Sequence, residues 1–321
     1  MDIVWIALGV ICVLFVLFLI AGYLAYKKAF FSIPNPNRSP YKVPNTDQHQ
    51  KHKDGLLDLI GKLDSEPYES VTVKSFDGLT LHGRYYHKRD GAPVHIAFHG
   101  YRSYGVRDFC GGYQIISELD HNTLIIDQRA HLASQGNTIS FGVKERFDVL
   151  TWVSYINERF GQDTPVFLVG VSMGAGTVLM SSGLKLPSNV LGIIADCPFS
   201  APWDILSKVC ADMKLPTKAC FPVACAAARI FGGFDLLGAS ATEAVKNTKT
   251  PILIIHGDDD RLVPHDMSVA IANANPDKVT LVTVKDAGHA LAYFEDIELY
   301  TRSVIEFTNK CLKEASRNEN N

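Results

Sequence analysis

The chain has 321 residues, 47% of them hydrophobic and 20% charged, and 31 basic against 34 acidic residues leave a net charge of −3. A chain this apolar and this close to neutrality is not disordered, and it has no bulk basic character for binding nucleic acid. Its seven cysteines are scattered, odd in number and without a C-x-x-C pair, which excludes a disulfide framework and a zinc-ligand spacing and fits thiols kept reduced inside a cell.

Residues 3 to 26 contain no charge, and the run is long enough to cross a bilayer core. Asp2 is the only charged residue ahead of it. A cleaved signal peptide would begin with Lys or Arg and have a shorter apolar stretch. Residues 1–26 are therefore read as a transmembrane anchor, with Trp5, Tyr23 and Tyr26 near its ends, where amphipathic rings favour the headgroup level. Lys27, Lys28, Arg38 and Lys42 follow before the first acid, Asp47, so the positive-inside bias places the large C-terminal part in the cytoplasm.

Pro34, Pro36, Pro40 and Pro44 then interrupt a polar stretch, and residues 27–53 read as a juxtamembrane linker. A short helix is expected at 56–63. Residues 54–316 read as one folded domain and 317–321 as a polar tail. Within the domain, segments 71–75 and 79–86 form a hairpin signal around Asp77-Gly78. Apolar strands follow at 94–100, 122–128, 165–171, 190–196, 250–258 and 278–284, alternating with helical stretches near 107–119, 143–160, 173–185, 264–274 and 290–314. A leading hairpin followed by strand–helix alternation implies an α/β fold: a mainly parallel eight-stranded sheet with helices on both faces. Reactive groups in such sheets gather at the C-terminal strand ends.

One strand end reads Gly170-Val171-Ser172-Met173-Gly174 and runs into a helix. This is G-x-S-x-G in its required context, where a serine on a tight turn needs small neighbours to stand clear of the backbone. Ser172 is the candidate nucleophile, and the Met173 amide at the helix start points where an oxyanion would form. A serine hydroxyl needs a base. His289, after the strand at 278–284, is the candidate. His99 and His256 precede glycines at strand ends and read as loop braces, while His131 and His265 lie in loops at the reactive edge.

For the acid, Asp258, Asp259 and Asp260 compete in one loop. The pattern H-G-x-x-D-x-x-V-P favours Asp260, and the order Ser, Asp, His agrees. Asp196, at the end of the preceding strand, remains a rival. His99-Gly100-Tyr101 ends the first parallel strand, where the Tyr101 amide is a second candidate oxyanion donor.

The segments FHGYRS (98–103), DQRAHLASQG (127–136), GVSMGAG (170–176), ADCPFS (195–200), HGDDDRLVP (256–264) and AGH (287–289) together resemble the α/β-hydrolase superfamily of serine hydrolases. Within it they are most similar to the Bem46-like, prolyl-oligopeptidase-related hydrolases of bacterial membranes. The resemblance implies an α/β-hydrolase fold, a triad of Ser172, Asp260 and His289, and oxyanion donors at Tyr101 and Met173. One departure is Ala130 and Leu132, where related enzymes usually have glycine.

Residues 201–249 break the strand–helix rhythm, and an insertion here is expected in this fold to form a helical lid over the nucleophile. Trp203 is its candidate substrate-binding wall. The sequence as a whole therefore reads as a membrane-tethered serine hydrolase acting on small-molecule acyl esters, with no metal or cofactor and no nucleic-acid partner. A peptidase or acyltransferase on the same triad, or a catalytically idle binding module, are the alternatives.

Overall fold

The computed structural model describes residues 2–319, so the last two residues of the polar tail lie outside it. Its strands are β1 Glu69–Lys74, β2 Thr80–Tyr86, β3 Val94–Phe98, β4 Asn122–Asp127, β5 Val166–Val171, β6 Val190–Asp196, β7 Ile252–Gly257 and β8 Val279–Val284. They pair into one sheet in the order β1-β2-β4-β3-β5-β6-β7-β8. Val71 lies opposite Gly83 in the β1–β2 hairpin, whose turn places Gly78 at φ +86°, a left-handed position that glycine takes without strain. β2 also runs antiparallel to β4, and all later neighbours are parallel. The fold expected from the sequence is present.

The helices are α1 Asp2–Ala25, α2 Asp47–Lys51, α3 Lys53–Ser65, α4 Gly105–Asp108, α5 Cys110–Glu118, α6 Glu145–Phe160 and α7 Met173–Ser181. They continue with α8 Pro202–Asp212, α9 Thr217–Ala226, α10 Ala241–Val245, α11 His265–Ala274, α12 Ala292–Glu295 and α13 Ile297–Glu319. β3, β5 and β7 are buried along their whole length, as strands covered on both faces must be. Side chains alternate between the faces. Ile96, Leu168 and Ile254 join Trp152 of α6, Val178 of α7 and Ile271 of α11. Ala97, Val169 and Ile255 join Ile60 of α3, Tyr113 of α5 and Val304 of α13.

Two segments differ from the sequence expectation. Both ends of residues 27–53 lie against the body. A π-turn segment, Tyr26–Phe30, continues α1 and buries Tyr26 and Phe30. The Ile139 amide donates to the Phe30 carbonyl at 2.7 Å and the Ser32 amide to the Asn137 carbonyl at 2.9 Å. Thr46 caps α2, accepting from the His49 amide. The insertion 201–249, in turn, packs against the end of α1. Phe231 meets Tyr23 edge-on at 5.4 Å and Phe234 meets Phe30 at 5.3 Å between centroids.

Helix α1 belongs to one segment, Ile3–Phe30, long and apolar enough to cross a membrane. In the loop after β4, Ala130 and Leu132 stand at φ +61° and +46°. These are left-handed positions that cost a residue with a Cβ about 1–2 kcal/mol.

Candidate active site

Ser172 joins β5 to α7 at φ +55°, ψ −114°, a conformation held only because its surroundings fix it. Its amide donates to the Asp196 carbonyl at 2.8 Å. The two flanking glycines are explained by space. A Cβ on Gly174 would stand 1.7 Å from the Phe98 carbonyl oxygen, and one on Gly170 would stand 2.4 Å from the Gly174 backbone. Both contacts are with backbone, which cannot yield, so the turn exists only with glycine at both positions.

His289 Nε2 lies 2.9 Å from Ser172 Oγ, and its Nδ1 lies 2.7 Å from Asp260 Oδ2. The carboxylate fixes the proton on Nδ1 and leaves Nε2 to accept from the serine hydroxyl. Asp260 is held in turn by the Leu262 and Val263 amides, which donate to its Oδ1 at 2.9 and 2.8 Å. His256 supplies a further donor, its Nε2 lying 3.1 Å from Asp260 Oδ2 and 3.0 Å from the Val263 carbonyl. Two acceptors on one nitrogen require that nitrogen to carry the proton, and Nδ1 then accepts from the Ser268 hydroxyl at 2.6 Å. His256 is thus a brace, as its place in the sequence suggests.

Burial raises the Asp260 carboxyl, but the His289 charge and the bonds from both histidines overcome it and hold the group well below the usual range. For His289 burial pulls the imidazolium down, and the charge and hydrogen bond of Asp260 pull it up further, so the net direction is up. Cys197 Sγ lies within 4.8 Å of the ligand atoms of Asp260 and His289. Burial pushes its thiol well up.

The rival carboxylates are engaged elsewhere. Asp258 accepts from the Asp286 amide at 2.6 Å, and Asp259 accepts from Gln48 at 2.9 Å. Asp196 accepts from the Tyr300 hydroxyl at 3.1 Å and leaves its other oxygen unpartnered. Burial raises its carboxyl to about 6.

The turn after β3 lies beside Ser172: a Cβ on Gly100 would be 3.4 Å from Ser172 Cβ. The Gly100 amide is committed to Asp108 Oδ2 at 2.8 Å, whereas the amides of Tyr101 and Met173 have no acceptor among the described residues. The Tyr101 hydroxyl donates to the Ala29 carbonyl at 2.9 Å. Arg102 reaches the Lys28 and Phe31 carbonyls at 3.0 and 2.8 Å. The foot of α1 therefore braces the loop that carries Tyr101.

Ser172 and His289 open into a cavity of about 490 Å³. It runs under the sheet between Val169 and Ile194 on one side and α5 and α13 on the other, lined by Cys110, Ile116, Tyr300 and Val304. Its roof comes from the stretch read as linker, through Pro44, Thr46, Gln48 and His49. Gln48 docks over Gly288, the Arg107 guanidinium donates to the Lys42 carbonyl, and Lys51 and His52 pair with Glu295. Burial, aided by the His289 charge, pulls His49 down to about 4, so the residue over the cavity is neutral.

No residue of 201–249 lines this cavity. Trp203, expected as a substrate wall, instead packs edge-on against Phe221 at 4.9 Å, bracing α8 on α9. Its sequence position past a strand end was right for the edge of the sheet, but the insertion leans the other way, toward α1. Gln48 and His49 were missed because prolines mask the segment. The local signal was Thr46 three residues before His49, a helix cap.

The family model that describes the alpha/beta hydrolase family matches residues 79–300, more than half of the chain. This chain belongs to the alpha/beta hydrolase family. As an alpha/beta hydrolase it is 25% identical over 267 residues to the uncharacterized protein YqkD of Bacillus subtilis, spanning 83% of this chain and 87% of that one. The esterase Pf2001 of Pyrococcus furiosus has the same fold, with a TM-score of 0.65 and 22% identity over 87% of this chain and 98% of its own. Est1E of Butyrivibrio proteoclasticus, with ferulic acid bound, gives a TM-score of 0.58 at 20% identity, over 76% and 99% respectively. Family and fold make this alpha/beta hydrolase a hydrolase.

Proposed function

We propose that the chain is a membrane-anchored serine hydrolase that cleaves carboxylic esters. The observation that carries the reading is the continuous relay from Ser172 Oγ through His289 to Asp260, at 2.9 and 2.7 Å. Ser172 attacks the acyl carbonyl while His289 takes its proton. The imidazolium, steadied by Asp260, then protonates the leaving alcohol. The Tyr101 and Met173 amides face the developing oxyanion, an arrangement in which each such donor contributes about 3 kcal/mol. Water activated by His289 then releases the acid. The apolar cavity beside Ser172 suits the acyl group, and a solved relative by fold, Pf2001, is an esterase by name. α1 holds the domain to the membrane, on the cytoplasmic side by the basic flank at Lys27 and Lys28.

A fluorophosphonate probe followed by a panel of p-nitrophenyl esters and aminoacyl amides tests this reading. Labelling of the wild type that vanishes in Ser172→Ala, with hydrolysis of esters ahead of amides, is the expected result. Persistent labelling in that variant would place the nucleophile elsewhere. An impermeant protease added to intact cells should leave the domain whole, and cleavage from outside would reverse the orientation.

A further inference from the structure

α9 packs along the inner end of α1. From Ile3 to Leu17 every residue of α1 is exposed, and Phe18 and Leu19 are the first to be part-covered. Gly22 is buried, with the Phe231 ring 3.5 Å from where its Cβ would stand. A bilayer core takes about 20 helical residues, so counted from Ile3 it reaches to about Gly22. Counting from a later residue only carries Gly22 deeper. At about 1.5 Å per residue, Phe18 lies about 6 Å inside that boundary. Whatever covers Phe18 and Gly22 is carried into the bilayer surface with them.

The covering segment has the composition for that place. Residues 213 to 234 include no Asp or Glu. Met213, Leu215 and Ile230 are large apolar side chains 55%, 43% and 57% exposed, and α9 buries none of its own residues. Arg229 is paired with Asp235 at 2.7 Å. The side-chain ammonium groups of Lys214 and Lys218, both in this segment, have no hydrogen-bond or ion-pair partner among the described residues and remain free for phosphate. Apolar side chains at the acyl boundary with lysines reaching back to the headgroups is the pattern of an interfacial segment on anionic lipid.

We propose that residues 213–231 form a second membrane contact, seated on an anionic lipid surface beside the anchor. The inference rests on reading α1 as that anchor. The insertion is then a seat that fixes the height and tilt of the domain, and the cavity mouth under residues 44–49 is free of it.

The test uses the full chain in nanodiscs of phosphatidylcholine and phosphatidylglycerol. Cys210, Cys220 and Cys225 are replaced by serine, and Cys110, Cys197 and Cys311 are buried. A bimane label is placed either at the native Cys12 or at Leu215→Cys with Cys12→Ser. Nitroxide lipids and aqueous iodide serve as quenchers. Loss of emission to the nitroxide lipids at both positions, with protection from iodide, is the expected result. Iodide quenching at 215 with lipid quenching at Cys12 would overturn the seat and leave the anchor standing. Protection from both quenchers at 215 would put a second copy of the chain there and equally overturn it. Iodide quenching at both positions would remove the anchor and the seat together. Lipid quenching at 215 alone would remove the anchor and overturn the reading of this segment as a second contact seated beside it.

Discussion

The two faces of the sheet receive side chains in strict alternation, yet one is filled and the other is hollow. On the α6, α7 and α11 face, Trp152, Val178, Leu168 and Ile254 are wholly buried and interdigitate. On the α5 and α13 face, the cavity opens between Val169, Ile194 and the helices and reaches Ser172. Part of the difference lies at the start of α5. Gly111 makes way for the Tyr293 ring, which a Cβ would approach to 2.5 Å, and Gly112 has no atom within 4 Å of where its Cβ would stand. Glycine in a helix costs about 1 kcal/mol relative to alanine. The hollow face thus gives up stability to keep space, a departure from local preference of the kind found at functional sites.

The strongest way to break this comparison is at the edge where the hollow meets Ser172. Asp260→Asn should lower kcat by about 10⁴, because the imidazole then presents the wrong tautomer to Ser172. Asp196→Asn, whose carboxyl answers Tyr300 rather than His289, should cost far less. Equal losses in steady-state kinetics would merge the roles assigned to the two carboxyls.

A smaller effect is expected inside the hollow. Gly112→Leu should lower kcat/KM for long acyl esters by about 10- to 100-fold, the scale of a few methylenes in an apolar pocket, while sparing acetyl esters. Its thermal midpoint should hold or rise, since a helix glycine has been replaced. A falling midpoint with uniform loss would mean the space is structural. On the filled face the expectation is reversed. Trp203→Ala should cost about 1–3 kcal/mol in denaturant unfolding and leave the ranking of ester chain lengths unchanged.

The smallest expected effect is on pH dependence. His289 must be neutral to accept the serine proton, and its pKa is displaced upward. The acid limb of kcat/KM should therefore fall above the ordinary imidazole value of about 6.5, with activity lost as pH drops through it. In Asp260→Asn the charge and hydrogen bond that raise it most are gone, and burial is opposed only by the charges of Asp196 and Asp108, so the residual activity of that variant should show its limb moved down. A limb moved up would contradict the assignment of Asp260 as the group that raises it.

What could be read from the sequence was what local chemistry dictates. Strands buried on both faces announce themselves as apolar runs, and the serine turn announces itself because Gly170 and Gly174 have no sterically allowed substitute. Ser172, His289 and Asp260 are brought within hydrogen-bonding distance as their strand-end positions suggested. What could not be read was which covering segment leans over the site. Pro34 to Pro44 look like a free linker because proline excludes regular structure, yet the chain beyond them docks through Gln48, Lys51 and His52 onto residues more than 200 positions away. The apolar residues of 201–249 look like a lid because composition records that they are covered and not by what. Their partner is the end of α1.

The hydrogen bonds from Tyr101 and Arg102 to Ala29, Lys28 and Phe31 bear on shedding. A protease cutting the exposed proline stretch between Phe31 and Lys42 would leave the sheet and the Ser172–His289–Asp260 relay whole but joined to α1 only by packing. All three carbonyls that brace the Tyr101 loop would stay behind on the stub. On the reading of α1 as the anchor, loss of the covalent tether and loss of that brace are then one event, and the cut domain would be a blunted version of the tethered one. Turnover measured before and after such a cut reads the size of the difference directly.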